Sequence, residues 1–144
     1  MYYDEIGVST RQISAENPDG AKGGACRWSP NPDDPDLPFS AGAAQLGKGW
    51  KVRPFIKVQP GETVTLMDVT DCGSIREMFL ATDTHRLSEL ILRFYWDSET
   101  EPSVVCPAGA FFAMGHDAHP HAVSSIPVQV CPRQGLNCYW HMPF

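Results

Sequence analysis

No apolar run in this sequence approaches the ~20 residues that a membrane-spanning helix needs. The opening residues, Met1 to Thr10, lack the basic and then apolar order of a secretory leader. The expectation from both absences is a soluble, cytoplasmic protein with no membrane partner. A basic run is missing too. The 11 Lys and Arg are scattered against 17 Asp and Glu, giving a formal net charge of −6, which argues against a nucleic acid or an anionic surface as partner. The 5 cysteines are odd in number, and no two form a Cys-x-x-Cys pair, so neither a disulfide framework nor dithiol or zinc chemistry is expected. Cys106, Cys131 and Cys138 fall in predicted strands, where a free thiol behaves as a small buried hydrophobe. Also absent are a Gly-x-Ser-x-Gly elbow, a phosphate loop and a dinucleotide fingerprint.

What the chain does have is strand patterning, clearest between Leu90 and Gly115. Leu90, Leu92, Phe94 and Trp96 share one parity, and Ile91, Arg93, Tyr95 and Asp97 the other. Such a period of two is a strand with one wholly apolar face, which must be buried. The second face is aromatic and polar, so a further layer, a subunit or a ligand is expected to cover it. Ser98 to Pro102 reads as a polar loop, Ser103 to Cys106 as a short strand, and Ala108 to Met114 as one helical turn carrying Phe111 and Phe112.

Upstream, residues 1–48 hold most of the Gly, Pro, Asn and Asp, the composition of irregular backbone. A loop of this length in a compact domain is commonly functional. Glu16, Asn17, Asp19, Lys22 and Arg27 cluster there among glycines that let backbone approach a ligand closely, which would suit a polyhydroxylated molecule. A solvated linker is the plain alternative. From Trp50 the texture changes. Trp50, Val52, Pro54, Ile56 and Val58 alternate with Lys51, Arg53, Lys57 and Gln59; Pro60-Gly61 offers a type II turn, and Glu62 to Val69 would return as the second strand of a hairpin. Further strands are expected near Ile75 to Ala81, from Ala122 to Val130, and from Leu136 to Met142, where Leu136, Cys138, Trp140 and Met142 oppose Asn137, Tyr139 and His141. A chain of 144 residues can bury one sizeable core. The organisation expected is a loop region over 1–48 and an all-β, antiparallel β-sandwich of jelly-roll type over 49–144.

Residue chemistry alone offers two candidate sites. His116, His119 and His121, with His141 on a later strand, have the spacing of imidazoles that converge on one metal ion. A cupin-like centre would also need a carboxylate soon after the last of the three, and Ala122 to Gln129 contains none. A histidine-containing surface loop is the simpler reading. Glycoside hydrolysis needs two carboxyl groups ~5 Å or ~6.5–9.5 Å apart. Asp68, Asp83, Asp97, Glu99 and Glu101 are available, with no spacing that singles out a pair.

Six ordered motifs carry a resemblance: Ser14 to Gly24, Gly47 to Val52, Leu92 to Asp97, Thr100 to Val104, Phe111 to Gly115, and Asn137 to Trp140 continuing through Met142-Pro143-Phe144. Together they resemble the N-terminal part of glycoside hydrolase family 172, formerly domain of unknown function 2961. The resemblance implies the first of two jelly rolls, assembly into trimers or multiples of trimers, and a retaining hydrolase of α-linked fructofuranosides or arabinofuranosides that uses no cofactor. The substrate contacts expected here are Glu16, Asn17, Asp19, Lys22, Trp50 and Asp83. The family's catalytic Glu pair lies in Gly-Glu-Gly-Glu and Thr-Glu-Asp-Tyr segments that this sequence does not contain. The expectation is therefore a fragment, truncated product or split half that is inactive alone. The sequence also departs from the family at Ala110 and Phe79, where an acidic residue and a Trp are usual, and at Asp71-Cys72-Gly73 and His141. The competing class is a non-catalytic carbohydrate-binding or interaction sandwich, or the cupin-like metal protein.

Overall fold

The computed structural model describes residues 7–29, 31, 33, 46–52, 54–82, 86–115, 121–131 and 135–144. The chain falls into two compact units, Met1–Val69 and Thr70–Phe144.

In the first unit the Pro60-Gly61 turn forms as expected. Glu62 N–H donates to the Gln59 carbonyl at 3.0 Å, Gly61 takes φ +79°, and the Glu62 carboxylate accepts from Gln59 N–H at 2.7 Å. The hairpin it was expected to close does not form: the described residues of 50–69 contain no strand. Val52 is buried, but Trp50, Ile56 and Val58 are exposed. Alternation makes a strand only where a partner takes up its backbone groups, and Pro54 removes one donor from the ladder.

The second unit contains the described strands and the helix. These are β1 (Ser74–Ile75), β2 (Met78–Leu80), β3 (Ile91–Phe94), β4 (Val104–Pro107), a single helical turn α1 (Ala108–Phe111), β5 (Val123–Ser124), β6 (Val128–Cys131), β7 (Gly135–Cys138) and β8 (Met142–Pro143). They form an all-β, antiparallel, sandwich-type fold with sheets β1-β8, β2-β7-β6-β5 and β3-β4. Among the described strands the first pairs with the last and β2 with β7, while β3-β4 and β5-β6-β7 pair as sequence neighbours.

Register explains the core. Leu80, Leu136, Val130 and Val123 lie opposite one another across the four-stranded sheet, as do Met78, Cys138 and Val128. These inward residues meet Leu87, Ala108, Phe112 and Met114, with Leu90 and Leu92 packed alongside. The parity read for β3 holds: Leu92 and Phe94 are half-buried while Ile91 and Arg93 are exposed. Cys138 is fully buried, the structural thiol that was expected. Phe79, Asn137, Gln129 and Ser124 form the opposite, outward row.

Two expected strands are broken. Ala122 to Val130 is a hairpin rather than one strand, because Ser125 takes the turn: its Oγ donates to the Val128 carbonyl at 2.8 Å and accepts from Val128 N–H at 3.1 Å. Ile126, assigned to the apolar face from sequence, is 95% exposed at the tip. Near the C-terminal end, Ile75 opposes Met142 and Met78 opposes Cys138, so Arg76 and Glu77 face three residues, Tyr139, Trp140 and His141. The two ladders belong to separate sheets, so the regular alternation of this segment ends at Cys138. Trp140 therefore lies 52% exposed instead of following Cys138 inward.

Helix α1 is docked at both ends by backbone. Its unpaired first N–H groups, on Ala108 and Gly109, donate to the carbonyls of Leu90 (2.8 Å) and Leu87 (3.0 Å). At the far end Met114 N–H reaches the Gly109 carbonyl at 2.7 Å and Ala113 N–H the Ala110 carbonyl at 3.1 Å, a Schellman motif with Ala113 at φ +62°. That position favours glycine. Ala113→Gly is expected to stabilise the protein by about 0.5–1 kcal/mol, the relief of left-handed strain less the added freedom of the unfolded chain. Urea unfolding checks it, and an unchanged or lower midpoint would contradict the cap assignment.

Candidate functional site

The N-terminal residues 12–24 fold into a tight polar loop around one side chain, Asn17. Ser14 and Asn17 exchange backbone hydrogen bonds, Ser14 N–H to Asn17 O at 3.1 Å and Asn17 N–H to Ser14 O at 2.9 Å. Gly20 N–H adds a third to the Asn17 carbonyl at 3.2 Å. Asn17, only 4% exposed, donates through Nδ2 to the carbonyls of Gln12 (2.8 Å) and Ala21 (3.2 Å). A short carboxamide at this point supplies what the crossing backbone lacks, a donor for two carbonyls that have left regular structure.

The glycines serve the loop itself. Gly20 has φ +65°, and a Cβ there would sit 3.1 Å from the Ile13 side chain; a Cβ at Gly24 would sit 2.0 Å from Asn17 Oδ1. Close approach at Gly20 and Gly24 is thus to Ile13 and Asn17 within the loop.

Of the residues expected to contact substrate, Glu16 and Asn17 are buried in this loop. Asp19 is exposed and accepts Ala21 N–H at 3.1 Å in an Asx turn. Lys22 is exposed on the same loop. Trp50 is 57% exposed, and its neighbour Gly49 donates to the Cys26 carbonyl at 3.2 Å, which ties the segment to the loop's end. Asp83 lies outside the described residues. Asp19 and Lys22 offer an exposed carboxylate and ammonium on this loop, and Trp50 an exposed indole beside Gly49, groups that hold hydroxyls and stack on sugar rings.

Of the alternative metal ligands, His116 and His119 also lie outside the described residues, and His121 and His141 are exposed. Among the described residues no group of three or more His, Cys, Asp or Glu gathers to hold an ion. The acidic segment from Asp97 to Glu101 is the solvated loop that was expected. Asp97 and Ser98 take φ +50° and +64°, Glu99 N–H closes the turn onto the Trp96 carbonyl at 2.9 Å, and Ser103 Oγ donates to the Glu99 carboxylate.

A further group of exposed side chains escaped the sequence reading. Phe79, 62% exposed, stands beside Asn137, Gln129 and Ser124 on the outward face of the four-stranded sheet, and Asn137 Nδ2 donates to the Gln129 carbonyl at 3.3 Å. The alternation of Asn137 with Leu136 and Cys138 was visible in the sequence. Its pairing across to Phe79 was not.

A family model described as GH172 domain-like matches residues 51–144. No protein of curated function matches the chain. The matched span takes in β1 to β8 and α1, and begins just after Trp50.

Proposed function

The chain belongs to the GH172 domain-like family, and from that premise we propose that it is the substrate-binding and assembly part of a retaining glycoside hydrolase acting on α-linked fructofuranosides or arabinofuranosides. The family match is the observation that carries this reading. The loop of Glu16, Asn17, Asp19 and Lys22, with Trp50, supplies contacts to the furanoside hydroxyls and ring, while a homotrimer or a multiple of it provides the assembly. Support for the loop is chemical: a preorganised, polar, partly buried segment loses little freedom when a ligand arrives.

The two Glu-bearing segments that the resemblance assigns to catalysis are absent from these residues. The protein as it stands is therefore expected to bind an α-arabinofuranosyl oligosaccharide without hydrolysing it. Incubated with p-nitrophenyl α-arabinofuranoside or a difructose anhydride, it should give no turnover above buffer, since loss of a nucleophile or acid typically lowers rates by orders of magnitude. Calorimetry on the same sample measures the binding. Clear turnover would mean that carboxylates such as Asp68 or Asp97 have taken the catalytic role, and absence of furanoside binding would overturn the assignment.

A further inference from the structure

We infer that the outward face of the four-stranded sheet is a binding site for a neutral saccharide, built on the cross-strand row Phe79, Asn137, Gln129 and Ser124. Register places Phe79 opposite Asn137, Asn137 opposite Gln129, and Gln129 opposite Ser124. Four neighbouring strands thus contribute one side chain each. At the usual spacing of neighbouring strands the row spans about 14 Å, the reach of a short oligosaccharide. Two positions further along, on the same parity, Glu77 and Tyr139 extend it, both exposed. Tyr139 is held by its backbone N–H, which donates to the Pro127 carbonyl at 2.7 Å.

The chemistry of the row selects the ligand. A carboxamide both donates and accepts, as a sugar hydroxyl does, and an exposed phenyl ring takes the C–H face of a sugar. Asn137 is already oriented by its bond to the Gln129 backbone. The row contains no cation, and Glu77 beside it repels anions, so acidic glycans and nucleic acids are disfavoured. Another protein layer fits poorly as well. It would have to pair the amides of Gln129 and Asn137 and the hydroxyl of Ser124, at a cost for each bond left unmade. The class of ligand rests on the proposed function; the place on the sheet does not, since every residue of it lies in the second unit and none in the N-terminal loop.

Heteronuclear NMR on the intact chain tests this, with neutral arabino- and fructo-oligosaccharides as probes at millimolar concentration. The side-chain amide signals of Asn137 and Gln129 should shift saturably, and Phe79→Ala should weaken that titration roughly five- to tenfold. Phe79→Tyr should restore it. Phe79 is exposed, so neither substitution threatens folding. Shifts confined to the Asn17 amide and the Trp50 indole would overturn the proposal while leaving the furanoside reading of the loop intact. Amide signals of Asn137 and Gln129 that move with protein concentration alone would assign the face to a second copy of the chain and overturn it equally. A Phe79→Ala protein that titrates like wild type would do the same.

Discussion

Phe112→Ala is expected to cost about 3–5 kcal/mol, the usual range for deleting a fully buried aromatic ring. Phe112 is 0% exposed and packs among Leu87, Ala108, Met114 and the inward side chains of β6 and β7. Its ring also meets Phe111 edge-on, at 5.1 Å between centroids, and Phe111 in turn stacks on Phe94 at 5.4 Å and touches Trp140 at 6.4 Å. The residue sits at the C-terminal end of α1, one turn that cannot persist without tertiary support. Removing the ring leaves a cavity and loosens the turn whose N–H groups hold the Leu87 to Leu90 segment. Urea unfolding of the full chain measures the loss. Labelling of Cys138 reports the same opening locally, because its thiol is sealed in the same core. Phe112→Leu keeps most of the volume and should cost less than half as much. A loss below about 1 kcal/mol for the alanine variant, far under the expected range, would show that the turn and its ring contribute little. Phe79→Ala, on the outward face, should change stability by no more than about 0.5 kcal/mol.

The sequence carried the inner faces of the strands well, since burial follows local alternation. Leu92 with Phe94, and Leu136 with Cys138, lie where their period of two puts them. It failed wherever a partner decides the outcome. Trp50 to Val58 alternates as cleanly as β3 but finds no ladder among the described residues, and Trp50, Ile56 and Val58 stay exposed although Val52 is buried. Ser125 looked like the polar phase of a strand, yet its hydroxyl makes the reverse turn with Val128. The break at Tyr139 to His141 has no local marker either, because it is visible only once β7 is set against β2 and β8 against β1. The candidate site follows the same rule. Clustering of Asn17, Asp19 and Lys22 was legible from their spacing along the chain, whereas the burial of Asn17 and the cross-strand row at Phe79 depend on contacts that spacing does not encode.

Gly24→Ala is expected to dismantle the Asn17 loop, with a local cost of about 2–4 kcal/mol from overpacking and from buried hydrogen bonds left unmade. The new Cβ would lie 2.0 Å from Asn17 Oδ1, 2.7 Å from its Cγ and 3.0 Å from the Ala21 carbonyl oxygen. A flexible side-chain tip could swing clear of such a contact. Asn17 cannot do so without cost, because its Nδ2 is committed to the carbonyls of Gln12 and Ala21 and its backbone to Ser14 and Gly20. The Ala21 oxygen is backbone and closes the other direction. Amide hydrogen exchange checks the prediction: protection at Ser14, Asn17, Gly20 and Gly24, whose N–H groups all donate within the loop, should fall together. Asn17→Ala removes the same two side-chain donors without the clash and should reproduce most of the effect, whereas Asp19→Ala loses only the Asx contact to Ala21 and should leave Asn17 protected. If the loop carries furanoside affinity, Gly24→Ala should weaken binding together with protection, whereas Asp19→Ala should weaken binding as a lost contact while protection at Asn17 stays. Unchanged exchange in the Gly24→Ala protein would mean that Asn17 is not the post around which this loop is built.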